Sequence, residues 1–152
     1  MRSISMASLL AMLSGAACAP SPPSAASVPA PAAAVRLSNT AEAAVPAPGT
    51  LTRTTVHESE RTVTQVLRLA PEAQIDEHHH PFFDETFIVE RGSLRVRLDD
   101  QVHELSAGAV VFIPAGTVIA GQNTGAEEAR VIVVFSNTGQ PGPLTVPGHP
   151  RH

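Results

Sequence analysis

The residues best suited to chemistry in this sequence lie in one short stretch, from His78 to Glu85, which reads HHHPFFDE. Side chains alternate between the two faces of a β-strand, so His78 and His80 point one way and His79 the other. Their Cα atoms are then about 7 Å apart, and two imidazoles at that spacing can converge on one ion at about 2.1 Å. Glu85, which we expect to begin the next antiparallel strand, adds a carboxylate. Two neutral imidazoles and one carboxylate make a site for Fe(II), Mn, Ni or Zn, with positions left open for water or substrate.

The elements that must position these residues read as β-strands. From about Leu51, short apolar runs alternate with turn residues every eight to twelve positions, which is typical of a β-sandwich or barrel. No stretch between residues 50 and 138 has a convincing helical period. The sequence has no Trp or Tyr and only five Phe, so Val, Ile and Leu must fill the core. The predicted strands are 62–69, 74–80, 85–90, 93–98, 101–105, 109–113, 117–123 and 129–136.

The first chemical motif resembles the first motif of the cupin family. That motif reads Gly, five residues, His-x-His, three or four residues, Glu, six residues, Gly. This chain has His78-x-His80, four residues, Glu85, six residues and Gly92, while Glu72 stands where the leading Gly belongs. The similarity covers about residues 60–137 and implies an all-β fold, the cupin-type double-stranded β-helix or jelly-roll barrel.

A second stretch is similar to the second cupin motif, which reads Gly, five residues, Pro-x-Gly, two residues, His, three residues, Asn. Here the spacing is kept by Gly108, Pro114-x-Gly116, Ile119 and Asn123. The departure is Ile119, because the His at that position is the fourth protein ligand in metal-binding cupins and Ile cannot coordinate a metal.

The resemblance therefore carries over three ligands, the two His and the Glu of the first motif, for a divalent metal ion (Fe, Mn, Ni or Zn). Three interpretations stay open. The three residues hold a metal, with water or substrate filling the gap at Ile119; or another side chain replaces the missing ligand, with Gln74, Gln122 and Asn123 as candidates. In the third, the cavity binds an organic ligand, or nothing, without metal.

Several strands carry apolar residues on both faces. We expect the second face to pack against another subunit, as in a homodimer, or against extra strands before Leu69. The residues assigned to this second face are Ile88, Val110, Phe112, Val131, Val133 and Phe135.

The N-terminus predicts export. Arg2 precedes ten mostly apolar residues, 4–13, far fewer than the roughly 20 that span a bilayer. Gly15-Ala16-Ala17 before Cys18 resembles a lipoprotein signal, in which the Cys becomes the lipidated first residue; an ordinary secretory signal is the alternative. We therefore expect a periplasmic protein or an outer-membrane-anchored lipoprotein. Cys18 is the only cysteine, which excludes an intramolecular disulfide.

Composition divides the chain further. Residues 1–17 are the predicted signal peptide and residues 18–48 an Ala-, Pro- and Ser-rich linker, since Pro favours an extended spacer over a packed element. Residues 49–138 are the predicted barrel domain, and residues 139–152, rich in Gly and Pro, a flexible tail.

These features bound the function. The net charge of −4 makes nucleic acid an unexpected partner, and a membrane is expected only through a lipid anchor at Cys18. A small molecule is the expected ligand. Three functions remain open: a metal-dependent, oxygenase-like small-molecule enzyme, a non-catalytic cupin that captures a metal or a small apolar ligand, or a purely structural dimeric domain. No general base stands out beyond the proposed ligands, so the sequence predicts no particular reaction.

Overall fold

The computed structural model describes residues 35–139. The predicted signal peptide, the first part of the linker and nearly all of the tail lie outside these residues. Within the described part, no helix is long and apolar enough to cross a membrane. The elements are a short 3₁₀-helix, Thr40–Glu42, and the strands β1 Leu51–Glu58, β2 Thr62–Leu69, β3 Gln74–His79, β4 Phe83–Arg91, β5 Ser93–Leu98, β6 Gln101–Ser106, β7 Val110–Ile113, β8 Val118–Asn123 and β9 Ala129–Asn137.

The strands form two antiparallel sheets, which confirms the predicted all-β class. The larger sheet has the order β1-β2-β9-β4-β7, and the smaller has the order β3-β8-β5-β6. Apolar side chains from both sheets form one core, and its fully buried members include Leu69, Val89, Leu94, Val96, Ile113, Ile119, Val131 and Val133. Burial of this apolar surface supplies the main stabilising free energy of the fold.

Strand β1 extends the larger sheet beyond the strands assigned from sequence. It pairs with β2 from Leu51 opposite Leu69 to Glu58 opposite Val63, with an irregularity between Thr55 and His57. Its burial pattern is mixed, which explains why no clean alternation marked it in the sequence.

The connection from β3 to β4 crosses from one sheet to the other. The expectation that Glu85 lies on the strand next to the histidines is therefore wrong in this detail, because β3 pairs with β8 while β4 pairs with β7 and β9. Pro81 has no backbone N–H and cannot extend the β3 ladder. The crossing is held by the backbone N–H of Gly116, which donates to the His80 carbonyl at 2.8 Å.

The second apolar face exists only in part. Val131, Val133 and Phe135 belong to the core, so their assignment to an outer face was wrong. Val110 and Phe112, by contrast, are 66% and 62% exposed on the outer side of the larger sheet. Residues 131–135 of β9 are all apolar, and the polar residues with the outer parity, Arg130 and Ser136, stand only at the two ends of this run.

Residues 38–45, here called the N-terminal segment, contact the outer side of the larger sheet. Ala43 is only 4% exposed, and its carbonyl accepts a hydrogen bond from the buried Arg68 guanidinium at 2.7 Å. Thr40 donates through its hydroxyl to Glu90 at 2.9 Å. The last third of the stretch assigned to an extended linker therefore packs against the barrel.

The turn between β2 and β3 contains the position where the cupin motif has a glycine and this chain has Glu72. Glu72 stands in its place with φ = 66°, a left-handed conformation that favours glycine. Asn123 holds this turn, because its side-chain amide donates to the carbonyls of Leu69 and Ala70 at 3.0 and 3.1 Å. The turn keeps its shape although Glu72 carries a Cβ.

Candidate metal centre

A β-bulge in β3 determines which side chains face the barrel interior. Ile75 lies opposite Gly121 and His78 opposite Ile119, so a step of three residues along β3 matches a step of only two along β8. The extra residue reverses the alternation, and His78 and His80 come to share the inner face with Ile75. Bulges are common beside functional sites, where they redirect side chains.

The structure brings the three predicted ligands together. One ligand atom from each of His78, His80 and Glu85 lies within 4.8 Å of the other two. Nε2 of His80 is 3.2 Å from Oε1 of Glu85. Both residues are buried, at 7% and 2% exposure, and His78 is half-buried. The carboxylate reaches the two imidazoles from the facing sheet, so the group joins the two halves of the barrel.

The bulge also orients His78. Its Nδ1 lies 2.7 Å from the carbonyl oxygen of Asp76. A carbonyl can only accept, so Nδ1 carries the proton and Nε2 keeps its lone pair. A backbone acceptor behind a ligating imidazole is the arrangement that fixes its tautomer in metal sites.

Burial shifts the pKa values of the other two ligands in opposite directions. Desolvation, with smaller contributions from the charges of His78, His79 and Arg53, lowers the pKa of His80 from 6.5 to about 4. Desolvation raises the pKa of Glu85 from 4.5 to about 7. Because this low pKa leaves His80 neutral at pH 7, its close contact with Glu85 is not an ion pair.

This donor set suits a divalent metal. Imidazole nitrogen and carboxylate oxygen are ligands for Fe, Mn, Ni and Zn. The His80 ring is neutral as a ligand must be, and its Nδ1 is buried without a hydrogen-bond partner in the described part of the chain. A cation beside Glu85 would restore the ionised carboxylate that burial disfavours.

Ile119 lies where a fourth ligand is missing. It is 1% exposed and opposite His78 in the β3–β8 register, so it gives the site an apolar wall. The suggested replacements do not enter the site. Gln74 and Gln122 line a groove on the outer side of the smaller sheet, because the bulge separates the face of Gln74 from that of His78. The amide of Asn123 is used by the turn described above.

The ligands open onto a cavity of about 380 Å³. It is mainly apolar, as small-molecule sites usually are. His79, expected to point away, also lines it and is exposed at the opening. The His80 ring packs against the rings of Phe83 and Phe135, with centroids 5.6 and 5.5 Å away.

Three polar residues that line this cavity, Gln65, Arg53 and Asp76, were not identified from the sequence. Gln65, on β2, is 3% exposed and donates through Nε2 to the Thr55 hydroxyl at 3.3 Å. Arg53, on β1, also lines the cavity. Gln65 could have been predicted from the sequence, because it is a polar residue that shares an otherwise apolar strand face with Val63 and Leu67. Arg53 could not, because its position depends on the pairing of β1 with β2.

Comparison with known proteins identifies the fold and the domain. Residues 65–135 match the family model described as the cupin domain. Among solved structures, an uncharacterized conserved protein with a double-stranded β-helix domain from Klebsiella pneumoniae superposes with a TM-score of 0.64 at 25% identity. That match covers 74% of this chain and 100% of the other.

Two curated relatives come from Streptomyces. Protein SchB of Streptomyces halstedii is 39% identical over 62 residues, which are 41% of this chain and 45% of the relative. Polyketide synthase CurC of Streptomyces cyaneus is 36% identical over 68 residues, covering 45% and 44% respectively. The chain thus spans less than half the length of these curated relatives.

Proposed function

Because residues 65–135 form a cupin domain, we propose that this protein binds one divalent metal ion, Fe, Mn, Ni or Zn, through His78, His80 and Glu85, and uses it on a small organic ligand. One observation carries the proposal: ligand atoms from these three residues lie within 4.8 Å of one another at the wall of a cavity. When bound, such an ion supplies Lewis acidity and, if iron or manganese, the redox chemistry of an oxygenase-like enzyme.

The chain's own residues prepare this site. The Asp76 carbonyl sets the tautomer of His78, burial keeps His80 neutral, and Glu85 would supply a negative charge once a bound cation offsets the burial that raises its pKa to about 7. Ile119 prevents a fourth protein ligand and leaves that side apolar. Coordination positions therefore remain for an exogenous ligand, which the mainly apolar cavity would desolvate.

Metal analysis tests the proposal. The full chain, loaded with each metal and then freed of excess ion, should retain about one equivalent by elemental analysis. His78→Ala, His80→Ala and Glu85→Gln should lose it, because a site with two protein ligands binds weakly. His103→Ala is the matched control, since His103 is exposed outside this cavity. Equal metal content in all variants would rule out the site.

A non-catalytic binding module is the second candidate, and Ile119 with the mainly apolar wall favours it. The relatives' names that mention polyketide synthesis favour an oxygen-rich carbonyl ligand for either function. Acetylacetone is a suitable probe because its two oxygens can chelate a metal. Oxygen uptake by the iron-loaded protein with acetylacetone would support the enzyme, whereas stoichiometric binding without consumption of acetylacetone would support the binding module.

We also propose export with a lipid at Cys18, and a homodimer. The sequence before Cys18 supports the first, and labelled palmitate should enter the wild type but not Cys18→Ser. The exposed apolar side chains of Val110 and Phe112 support the second, since a two-fold axis would place them against the same residues of the other copy. Light scattering should then report a dimer for the wild type and a monomer for Phe112→Ser.

A further inference from the structure

One basic side chain of the cavity has no protein partner. Arg53 is exposed and lines the same cavity as the three metal-binding residues, and its side chain makes no hydrogen bond or ion pair with any residue in 35–139. Arginines on the outer side of the barrel are instead paired with glutamates: Arg68, Arg91, Arg95 and Arg97. The Arg53 guanidinium is therefore available to a ligand.

Arg53 lies at some distance from the metal-binding end. In the register of the larger sheet Arg53 is opposite Leu67, whereas Glu85 shares a row with Phe135 and Val63. The two rows are four residues apart, about 13 Å along the strands, and the two side chains shorten that gap. Between the rows lie Phe87 and Val133, which are apolar, and Gln65, whose amide donates to the Thr55 hydroxyl.

The charge of the cavity favours an anion. The ionisable groups that line it are Arg53, Asp76, Glu85 and the three histidines. Counted as formal charges, a bound divalent ion and Arg53 would carry three positive charges against the two carboxylates of Glu85 and Asp76. This excess favours an anionic ligand over a neutral one.

We propose that Arg53 is the anion-binding residue of this cavity, and that the ligand is a small organic acid with an oxygen donor at the metal end, an apolar middle and a carboxylate on Arg53. A guanidinium matches a carboxylate with two parallel hydrogen bonds. The contact at the metal end rests on the proposed function, whereas the contact with Arg53 does not require a metal.

Adipate is a suitable probe because four methylene groups separate its two carboxylates. Calorimetry on the zinc-loaded full chain should show adipate binding that weakens about tenfold or more in Arg53→Gln, the loss expected for one charge-assisted contact. Acetate, which reaches only the metal, should change less than about threefold. Arg61→Gln is the matched control, because Arg61 is exposed outside the cavity.

The metal content, measured first on every variant, separates the two proposals. If metal is retained and Arg53→Gln binds adipate as the wild type does, the Arg53 proposal is overturned while the metal site stands. If the wild type holds no metal, the metal site is overturned. Adipate binding to the metal-free protein then decides: dependence on Arg53 supports the anion site, and independence or lack of binding overturns it.

Discussion

Replacing Glu85 should stabilise the metal-free protein while it abolishes metal binding. Glu85 is 2% exposed, and its pKa rises from 4.5 to about 7. A folded-state pKa above the unfolded value gives stability that is present below pH 4.5 and is lost as the pH rises through 7. A change in pKa of this size corresponds to about 3 kcal/mol. The quantity to compare is the free energy of unfolding of Glu85→Gln minus that of the wild type, measured in chelator. This difference should be about 3 kcal/mol larger at pH 8 than at pH 4.

Urea denaturation at pH 4 and pH 8, in chelator, measures this difference. Comparing the two pH values removes any effect of the buried amide itself, because the amide does not titrate. His80 is present in both proteins, so its own titration cancels. Glu104→Gln is the control: Glu104 is exposed and pairs with Arg95, and its replacement should show no such pH dependence.

Bound metal should make the wild type more stable than Glu85→Gln at pH 8. At a free concentration one thousand times its Kd, a bound ion stabilises the folded state by about 4.1 kcal/mol, which exceeds the advantage of Glu85→Gln, and only the wild type should gain it. The reasoning is refuted if Glu85→Gln has the same stability relative to wild type at pH 4 and pH 8 without metal, since Glu85 would then not be held in a desolvated site.

Ile119→His should raise metal affinity at least tenfold by calorimetric titration, because it adds an imidazole opposite His78; unchanged affinity would place residue 119 outside the coordination sphere. Metal occupancy of the wild type should fall as the pH drops below about 6, when protons compete for imidazole and carboxylate, and full occupancy at pH 4.5 by elemental analysis would exclude an imidazole site. Glu72→Gly should raise the free energy of unfolding by about 1 kcal/mol, since glycine relieves the left-handed strain at φ = 66°; a loss of stability in urea would contradict this. Gly92→Ala should lower the free energy of unfolding by about 3 kcal/mol, because φ is +81° and a Cβ would lie 2.6 Å from the Ala129 Cα. Gly108→Ala, equally left-handed but with open space around it, should lose only about 1 kcal/mol in the same assay.

The sequence predicted the strands well because turn residues delimit most of them and apolar runs fill them. Eight predicted strands correspond to β2–β9 with ends that differ by at most two residues. The same spacing predicted that His78, His80 and Glu85 meet, and the structure brings them together. Local pattern was sufficient here, since His78 and His80 lie two residues apart at the end of β3 and Glu85 follows within five residues.

Other features depend on contacts between distant segments. The bulge in β3 appears only when Ile75 and His78 are paired with β8, and so the face of Gln74 was wrong. The transfer of Glu85 to the facing sheet depends on which strands pair, which residue spacing does not specify. Arg53 enters the cavity only because β1 adds to the edge of β2.

The packed N-terminal segment changes how far the barrel can move if Cys18 is lipidated. Its first described side-chain contact is Ser38, whose hydroxyl donates to the Val56 carbonyl at 3.3 Å. Nineteen residues, 19–37, then separate Cys18 from the barrel surface, rather than the 30 residues 19–48. At about 3.1 Å per residue in a polyproline conformation, the maximum span falls from about 90 Å to about 60 Å. The cavity would then stay within a layer next to the bilayer that is about one third thinner than the longer tether allows. The local concentration of cavities in that layer would be correspondingly higher.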